Sequence, residues 1–461
     1  MNPDCATAAS LRQAGRQPPA QFRIELEDGR SLDMWRLLRI LPGKRLTGVG
    51  LLEGQIVLAK LFIAHDGSER HWERERRGIA ALDERGVPTP QLLEADRLKA
   101  GGHYLLTEFI ADARNPAGAV PPAPVFTALG RLHACGLVQE DAHFGNFLLV
   151  GDRVLIIDGD AIRPVAAAAE TTRNLALLLA QIPPAEESAQ RDVLLAAYRA
   201  GHPTPKLDMA RLAAEIARVR RRRIADYLKK CLRDCSQFKV ERRLDRFAAV
   251  VREEAGFLAP HLADPDRWME SGVPLKRGNT ATVARVEAGG RQFVVKRYNI
   301  KGAGHAVSRC WRPSRAWHAW LEGHRLGFLG ITTPRPLALI ERRLGPLRGH
   351  AWLVTEYCPG ENLAIRLAPH LDASPPAAEL AAVCNLFKQL TAACVSHGDL
   401  KATNLLWDGD RLSLIDLDAM RQHKGADSFA RAWRKDRARF LRNWPAGSRL
   451  RATLETALPG A

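Results

Sequence analysis

No stretch of this chain approaches the ~18 consecutive apolar residues that a membrane-spanning helix requires, and residues 1–19 lack a basic stretch followed by an apolar core. These absences argue against a spanning or secreted protein, and the expectation is a chain that remains in the cytosol. Metal-ligand cysteine spacing is missing too. The eight cysteines (5, 135, 231, 235, 310, 358, 384 and 394) are scattered through the sequence, which fits reduced thiols that pack rather than a disulfide framework. Cys231 and Cys235 would share a helix face, but no second Cys or His pair stands near them to complete a metal site. General disorder is excluded by the composition, 46% hydrophobic against 26% charged.

At 461 residues the chain is long enough for two or three domains. Its formal charge of +17 is concentrated in two places: residues 211–252 hold 14 Lys/Arg against 5 Asp/Glu, and residues 421–451 hold 10 against 2. The remainder is neutral. Such segments are either solvated helix faces or surfaces for an anionic partner such as phospholipid headgroups, a glycolipid or nucleic acid.

Setting the chain against itself reveals one series of landmarks twice. The first pass runs Gln55-Ile-Val-Leu-Ala-Lys60, Gly86-Val-Pro-Thr-Pro90, Leu105-Leu-Thr-Glu-Phe109, Asp141-Ala-His-Phe-Gly-Asn146 and Ile156-Ile-Asp-Gly-Asp160. The second runs Gln292-Phe-Val-Val-Lys296, Gly330-Ile-Thr-Thr-Pro334, Leu353-Val-Thr-Glu-Tyr357, Asp399-Leu-Lys-Ala-Thr-Asn404 and Leu414-Ile-Asp-Leu-Asp418. Over the last two landmarks the offset is a constant 258, while the earlier ones are offset by 236 to 248. Between landmarks, β-branched runs read as strands and the alanine-rich stretches 124–135 and 377–394 as helices, an α+β texture. The expected domains are 20–250 and 251–455, the first ending in a long basic helix through residues 220–223.

Phosphoryl transfer from ATP calls for a cation on the nucleotide phosphates, oxygen ligands for Mg²⁺ and a carboxylate that accepts the proton of the attacking hydroxyl. Each pass supplies these residue types in the order found in protein kinases. In the second, Lys296 would hold the phosphates, Asp399 would be the base, Lys401 would neutralise the transferring group, and Asn404 with Asp416 would coordinate the metal. Lys60, Asp141, Asn146 and Asp158 are their counterparts, with His143 where Lys401 stands. Glu108 and Glu356 mark the hinge segments against which adenine would lie. Residues 276–282 and 41–50 occupy the place of a phosphate-covering loop without forming Gly-x-Gly-x-x-Gly. Glu75 and Glu322 are candidates for the helix carboxylate that pairs with the lysine. Asp and Asn also make turns and helix caps, which would explain any one of these residues but not four in order twice.

The stretches Phe293-Val-Val-Lys-Arg-Tyr-Asn299, Leu329–Pro336, His397-Gly-Asp-Leu-Lys-Ala-Thr-Asn404 and Leu414–Asp418 resemble the bacterial lipopolysaccharide core (Kdo/heptose) kinase family, and Leu41–Leu46 with Val57–Lys60 have the same look. The resemblance implies two tandem protein-kinase-like domains, each with a small β-rich N-lobe and a helical C-lobe. It further implies ATP- and Mg²⁺-dependent phosphorylation of an inner-core sugar, heptose or Kdo. The chain would then sit peripherally on the cytoplasmic face of the inner membrane, its basic segments meeting an anionic lipid-linked acceptor, with nucleic acid an unlikely partner. Two departures stand out: Asp158-Gly-Asp and Asp416-Leu-Asp replace Asp-Phe-Gly, and family members are commonly single-domain. An atypical protein Ser/Thr kinase and a pseudokinase scaffold are the alternatives. Trp433 and Trp444, set among arginines, are expected to pack between helices or to face a membrane.

Overall fold

Two hairpins of the same chemistry organise the chain. Glu53 and Gly54 (φ 49° and 86°) join the strands Arg45–Leu52 and Gln55–Phe62, and Gly289 and Gly290 (φ 53° and 73°) join Ala281–Ala288 and Arg291–Tyr298. Positive φ at both central residues gives two-residue primed turns, whose twist matches that of the flanking strands. In both hairpins the second strand ends close to a lysine: Lys60 pairs with Thr47 on one side and Leu105 on the other, and Lys296 with Val283 and Leu353. The period of two then buries Val57, Ala59 and Leu61, or Phe293 and Val295, on one face and turns the lysine to the other.

The computed structural model describes residues 5–116, 123–205, 207–278, 280–299 and 311–460. The chain divides into two compact units, Met1–Ile182 with Ala189–Arg220 and Pro183–Ser188 with Arg221–Ala461. The division after Arg220 departs from the expected one after residue 250. Phe238–Arg242 and Arg246–Val251 pair with each other and then with Pro336–Leu344, so they belong to the second sheet.

In the first unit β1 (Cys5–Ala6), β2 (Phe22–Glu25), β3 (Ser31–Leu41), β4 (Arg45–Leu52), β5 (Gln55–Phe62), β6 (Leu92–Arg97) and β7 (His103–Glu108) form one sheet in the order β1-β2-β3-β4-β5-β7-β6. Helix Ser68–Glu84 follows β5, and helices Ala123–Ala134 and Ala168–Leu179 bury Phe126, Leu129, Leu175 and Leu179 in a separate helical core. Between those two helices the short strands β8 (Leu137–Gln139) and β11 (Ile162–Pro164) bracket the hairpin β9 (Phe147–Val150) and β10 (Arg153–Ile156).

The second unit repeats the plan. Its sheet joins β12 (Phe238–Arg242), β13 (Arg246–Val251), β14 (Val273–Arg277), β15 (Ala281–Ala288), β16 (Arg291–Tyr298), β17 (Pro336–Leu344) and β18 (Leu347–Glu356) in the order β12-β13-β17-β18-β16-β15-β14. The run β14-β15-β16-β18-β17 has the same order as β3-β4-β5-β7-β6; each unit adds two further strands, at opposite edges of that run. Helices Arg315–Phe328, Ala377–Ala393 and Ala426–Leu441 follow, with β19 (Glu361–Asn362) pairing onto the hairpin β21 (Leu405–Trp407) and β22 (Leu412–Leu414), and β20 (Val395–Ser396) pairing with β23 (Arg421–Gln422).

Trp433 and Trp444 are both buried, packed against Phe387, Phe429 and Phe440, so they serve the helical core. The basic helix Met209–Lys230 ends before Cys231, which leaves Cys231 and Cys235 off any shared helix face. The seven described cysteines are free; Cys310 lies outside the described residues. No helix among the described residues is long and apolar enough to cross a membrane.

Candidate active sites

The hairpin in the second half of each unit fixes two of the expected groups. Asp158 and Asp416 both adopt the left-handed conformation (φ 70° and 61°), uncommon for a residue with a side chain. Just before each, the amide of Ile157 donates to the Asn146 carbonyl and that of Ile415 to the Asn404 carbonyl, both at 2.9 Å. Asn404 Nδ2 in turn donates to the Asp399 carbonyl at 2.9 Å, and Asn146 Nδ2 reaches the Asp141 carbonyl and Oδ1 at 3.5 Å. The constant sequence spacing is therefore one local fold made twice.

The lysines are held differently. In the first unit Lys60 Nζ donates to Glu75 Oε1 and lies 3.4 Å from Asp158 Oδ1. Glu75, fully buried on helix Ser68–Glu84, also accepts from the amides of Gly159 (3.1 Å) and Asp160 (3.2 Å). That approach needs glycine, since a Cβ on Gly78 would sit 1.9 Å from the Gly159 carbonyl oxygen. Arg45 Nη1 completes the cluster, 3.8 Å from Glu75 and 3.9 Å from Asp158. Burial pushes the Glu75 carboxyl up, against the pull of Lys60. It would raise Asp158 as well, but the Lys60 and Arg45 charges override it and hold that carboxyl at about 2.

In the second unit Lys296 Nζ donates to Asp416 Oδ1 at 2.6 Å and to Asp418 Oδ2 at 3.1 Å. Glu322 bonds Arg325 instead, at 2.9 Å, so it is not the lysine's partner. The helices align through matching bonds, Val87 N to Leu82 O and Ile331 N to Leu326 O, which sets Ala319 opposite Glu75. Asp418 supplies the carboxylate that the helix lacks. It accepts from the Tyr298 hydroxyl at 2.7 Å, and Arg315 Nη1 lies 3.9 Å away. By strand register Tyr298 and Ala281 stand where Phe62 and Arg45 stand in the first unit. The cation beside the lysine thus enters from β4 in one unit and from the helix in the other, each stacked on the aromatic ring, Arg45 over Phe62 and Arg315 over Tyr298. Burial would raise the Asp416 carboxyl, but Lys296 draws it below the usual carboxylate range.

The loops before the hairpins also have different anchors. Buried Asp436, on helix Ala426–Leu441, accepts the amides of His397 (2.6 Å) and Gly398 (3.0 Å), and His397 Nε2 contacts the Ile415 carbonyl at 3.0 Å. Burial pushes the Asp436 carboxyl up despite those amides. In the first unit Gln139 Nε2 donates to the Ile157 carbonyl at 2.8 Å, and the neutral amide of Asn174 bonds both the Gln139 backbone and His133. His133 is driven down to about 4 by burial, so it is neutral.

Asp399 is flanked by Lys401 at 3.1 Å and Arg439 Nε at 2.5 Å. Asp141 is pushed up by burial and by the Asp158 charge. Glu108 and Glu356 close β7 and β18 three residues along from the lysines' partners, opposite Val57 and Phe293. Their amides are taken by the carbonyls of Gln91 and Arg335, and neither side chain joins the lysine cluster. Of the two loops compared with phosphate covers, 41–50 is the β3–β4 turn that delivers Arg45, and 276–282 is the β14–β15 turn, of which Asn279 lies outside the described residues. Sequence reading had named neither Asp436, Asn174, Arg439, Tyr298 nor Arg45 as site residues; Asp418 had appeared only as part of a motif.

Residues 262–445 match the family model described as Lipopolysaccharide kinase (Kdo/WaaP) family, a segment that contains Lys296, Asp399, Asn404, Asp416, Asp418 and Asp436. Comparison with curated proteins returns no match. Among solved structures, WaaP in complex with acyl carrier protein is 24% identical over 40% of this chain and 76% of its own, with a TM-score of 0.30. Spectinomycin phosphotransferase in complex with ADP and spectinomycin is 10% identical over 42% and 80%, TM-score 0.32. The resemblance read from the motifs is borne out over residues 262–445, and with it the reading as a phosphotransferase.

Proposed function

We propose that this phosphotransferase uses ATP and Mg²⁺ to phosphorylate a sugar hydroxyl, heptose or Kdo, of the lipopolysaccharide inner core, with residues 221–461 carrying the reaction. The observation that supports it is the gathering of Lys296, Asp399, Asn404 and Asp416 around one hairpin inside the family-matched segment. Asn404 and Asp416 suit Mg²⁺ by donor chemistry: both offer hard oxygen, Asp416 is held ionised, and Asn404 turns its Nδ2 to the Asp399 carbonyl, keeping its amide oxygen for another partner. When bound, the ion would supply positive charge to the phosphates. Lys296 would bind the same phosphates, released from Asp416 and retained by Asp418. Asp399, oriented by Lys401 and Arg439, would accept the proton of the sugar hydroxyl, and that proton transfer is worth ~10²–10⁴ in rate. Adenine would lie along the strand ends at Glu356 and, in the first unit, Glu108.

We read the first unit as a second kinase-like domain in which Lys60, Asp141, Asn146 and Asp158 take the same roles. The raised Asp141 carboxyl would place the acid limb of its activity above that of an ordinary aspartate.

The test is phosphate transfer from Mg-ATP to purified core oligosaccharide, read by mass spectrometry. Asp399→Ala should abolish it, and a deletion strain should lack one core phosphate. Undiminished transfer by Asp399→Ala would refute the assignment to the second unit, and a core with all its phosphates would refute the substrate.

A further inference from the structure

Residues of both basic segments that phosphoryl transfer leaves unused, within 221–232 and 421–424, meet in the second unit. A cavity of about 940 Å³ lies among residues 221–232, the outer face of helix Arg315–Phe328 and the stretch that follows Asp418. Its rim carries Arg221, Lys229, Arg312, Arg325, Arg421 and Lys424, and its floor is apolar, built from Ile224, Leu228, Leu321 and Met420. Two carboxylates line it and both are committed: Glu322 to Arg325 at 2.9 Å, and Asp418 to Lys296 and Tyr298. Among the described residues Arg221, Arg312, Arg421 and Lys424 make no ion pair.

A solvated basic face needs no concavity; cations spread over a convex helix diverge into water. Here they converge from three elements over one hollow, so each raises the potential felt by the others, and an anion placed among them relieves that repulsion. Guanidinium groups match the paired oxygens of an oxyanion in two-point contacts that chloride cannot make, and a phosphate, with more oxygens and more charge than a carboxylate, can meet cations from several walls at once.

We propose that this cavity binds a phosphate group, either free or as the headgroup of an amphiphile whose apolar part rests on the Leu228–Leu321 floor. Because Asp418 and Arg315 line the cavity as well as flanking Lys296, occupation would be felt at the lysine. The binding site itself stands independently of the phosphotransfer reading.

Calorimetric titration of the full chain with inorganic pyrophosphate and, separately, with dihexanoyl phosphatidic acid below its micellar concentration tests it. Saturable binding of pyrophosphate identifies a free-phosphate ligand, and binding of the lipid alone identifies a headgroup. In either case the exposed double variant Arg421→Glu/Lys424→Glu should weaken binding about tenfold or more, as should Arg221→Glu on the opposite wall. Lys296→Met, outside the cavity lining, should weaken it less than either charge reversal. Equal melting temperatures show that the variants are folded. Binding of neither probe, unchanged binding in both charge-reversal variants, or loss confined to Lys296→Met would overturn the proposal.

Discussion

The first unit holds its strand lysine from a helix, the second from a loop. Glu75 reaches Lys60 because Gly78 and Gly159 let helix and loop nearly touch. In the second unit Glu322 and Leu417 stand at those places and Ala319 at that of Glu75, and Asp418, two residues beyond Asp416, takes over. A helix-borne partner makes the lysine's position depend on where the helix sits; a loop-borne partner ties it to the same hairpin that carries Asp416. The second arrangement therefore has less to misalign.

The sharpest way to break this comparison is to remove each carboxylate. Glu75→Ala should destabilise the first unit by ~3 kcal/mol, because it removes the acceptor of two buried amides and leaves Lys60 only its longer contact with Asp158, whereas Asp418→Ala should cost the second only ~1 kcal/mol, since Asp416 still holds Lys296 at 2.6 Å. Urea unfolding followed by hydrogen exchange in each unit separates the two; equal losses would mean that the partners are interchangeable.

Acid provides the next contrast. The folded Asp158 carboxyl lies at about 2, below the ordinary ~3.9. The unfolded chain thus binds more protons between those values, and this group's stabilisation, roughly 2 kcal/mol, is complete above pH ~4 and lost as pH falls through ~2. Asp158→Asn should flatten the acid unfolding of the first unit across that window. A smaller difference should follow removal of the flanking cations. Arg45→Ala should raise the Asp158 carboxyl, read by NMR titration, while Arg315→Ala should leave the Asp416 carboxyl, drawn down chiefly by Lys296, unmoved. The smallest effect is at the hairpin turns, where Glu53→Gly should stabilise and Gly289→Glu destabilise, each by ~1 kcal/mol, since only glycine adopts that backbone without strain. Melting temperatures check the signs.

Much of the candidate site's hairpin was legible because it is local. Asp141, Asn146 and Asp158, like Asp399, Asn404 and Asp416, lie within seventeen residues of one another, so their spacing survives as a constant. The lysines were legible from strand period and order. Glu75, named among the candidates for the helix carboxylate, does pair with Lys60, but the partner of Lys296 was not legible, because insertions change the offset between the units before the hairpins and hide that Ala319 takes Glu75's place. Asp436 and Asn174 leave no trace in sequence either: each meets its loop only through tertiary packing of a helix 35 or more residues downstream. The domain boundary was misplaced for a related reason, since Phe238–Val251 looks like the tail of a basic helical region until its strands find partners 90 residues on.

The two anchors of those loops also set how each loop opens. Hydrogen exchange at an amide waits for its acceptor to leave, and the amides of His397 and Gly398 share one acceptor, the Asp436 carboxylate, while Gln139 relies on a neutral side chain. Protonating Asp436 weakens both bonds at once. Deuterium uptake at positions 397 and 398 is accordingly a built-in clock for lifting of helix Ala426–Leu441, one that acid quickens beyond the ordinary pH trend and that residue 139 does not share.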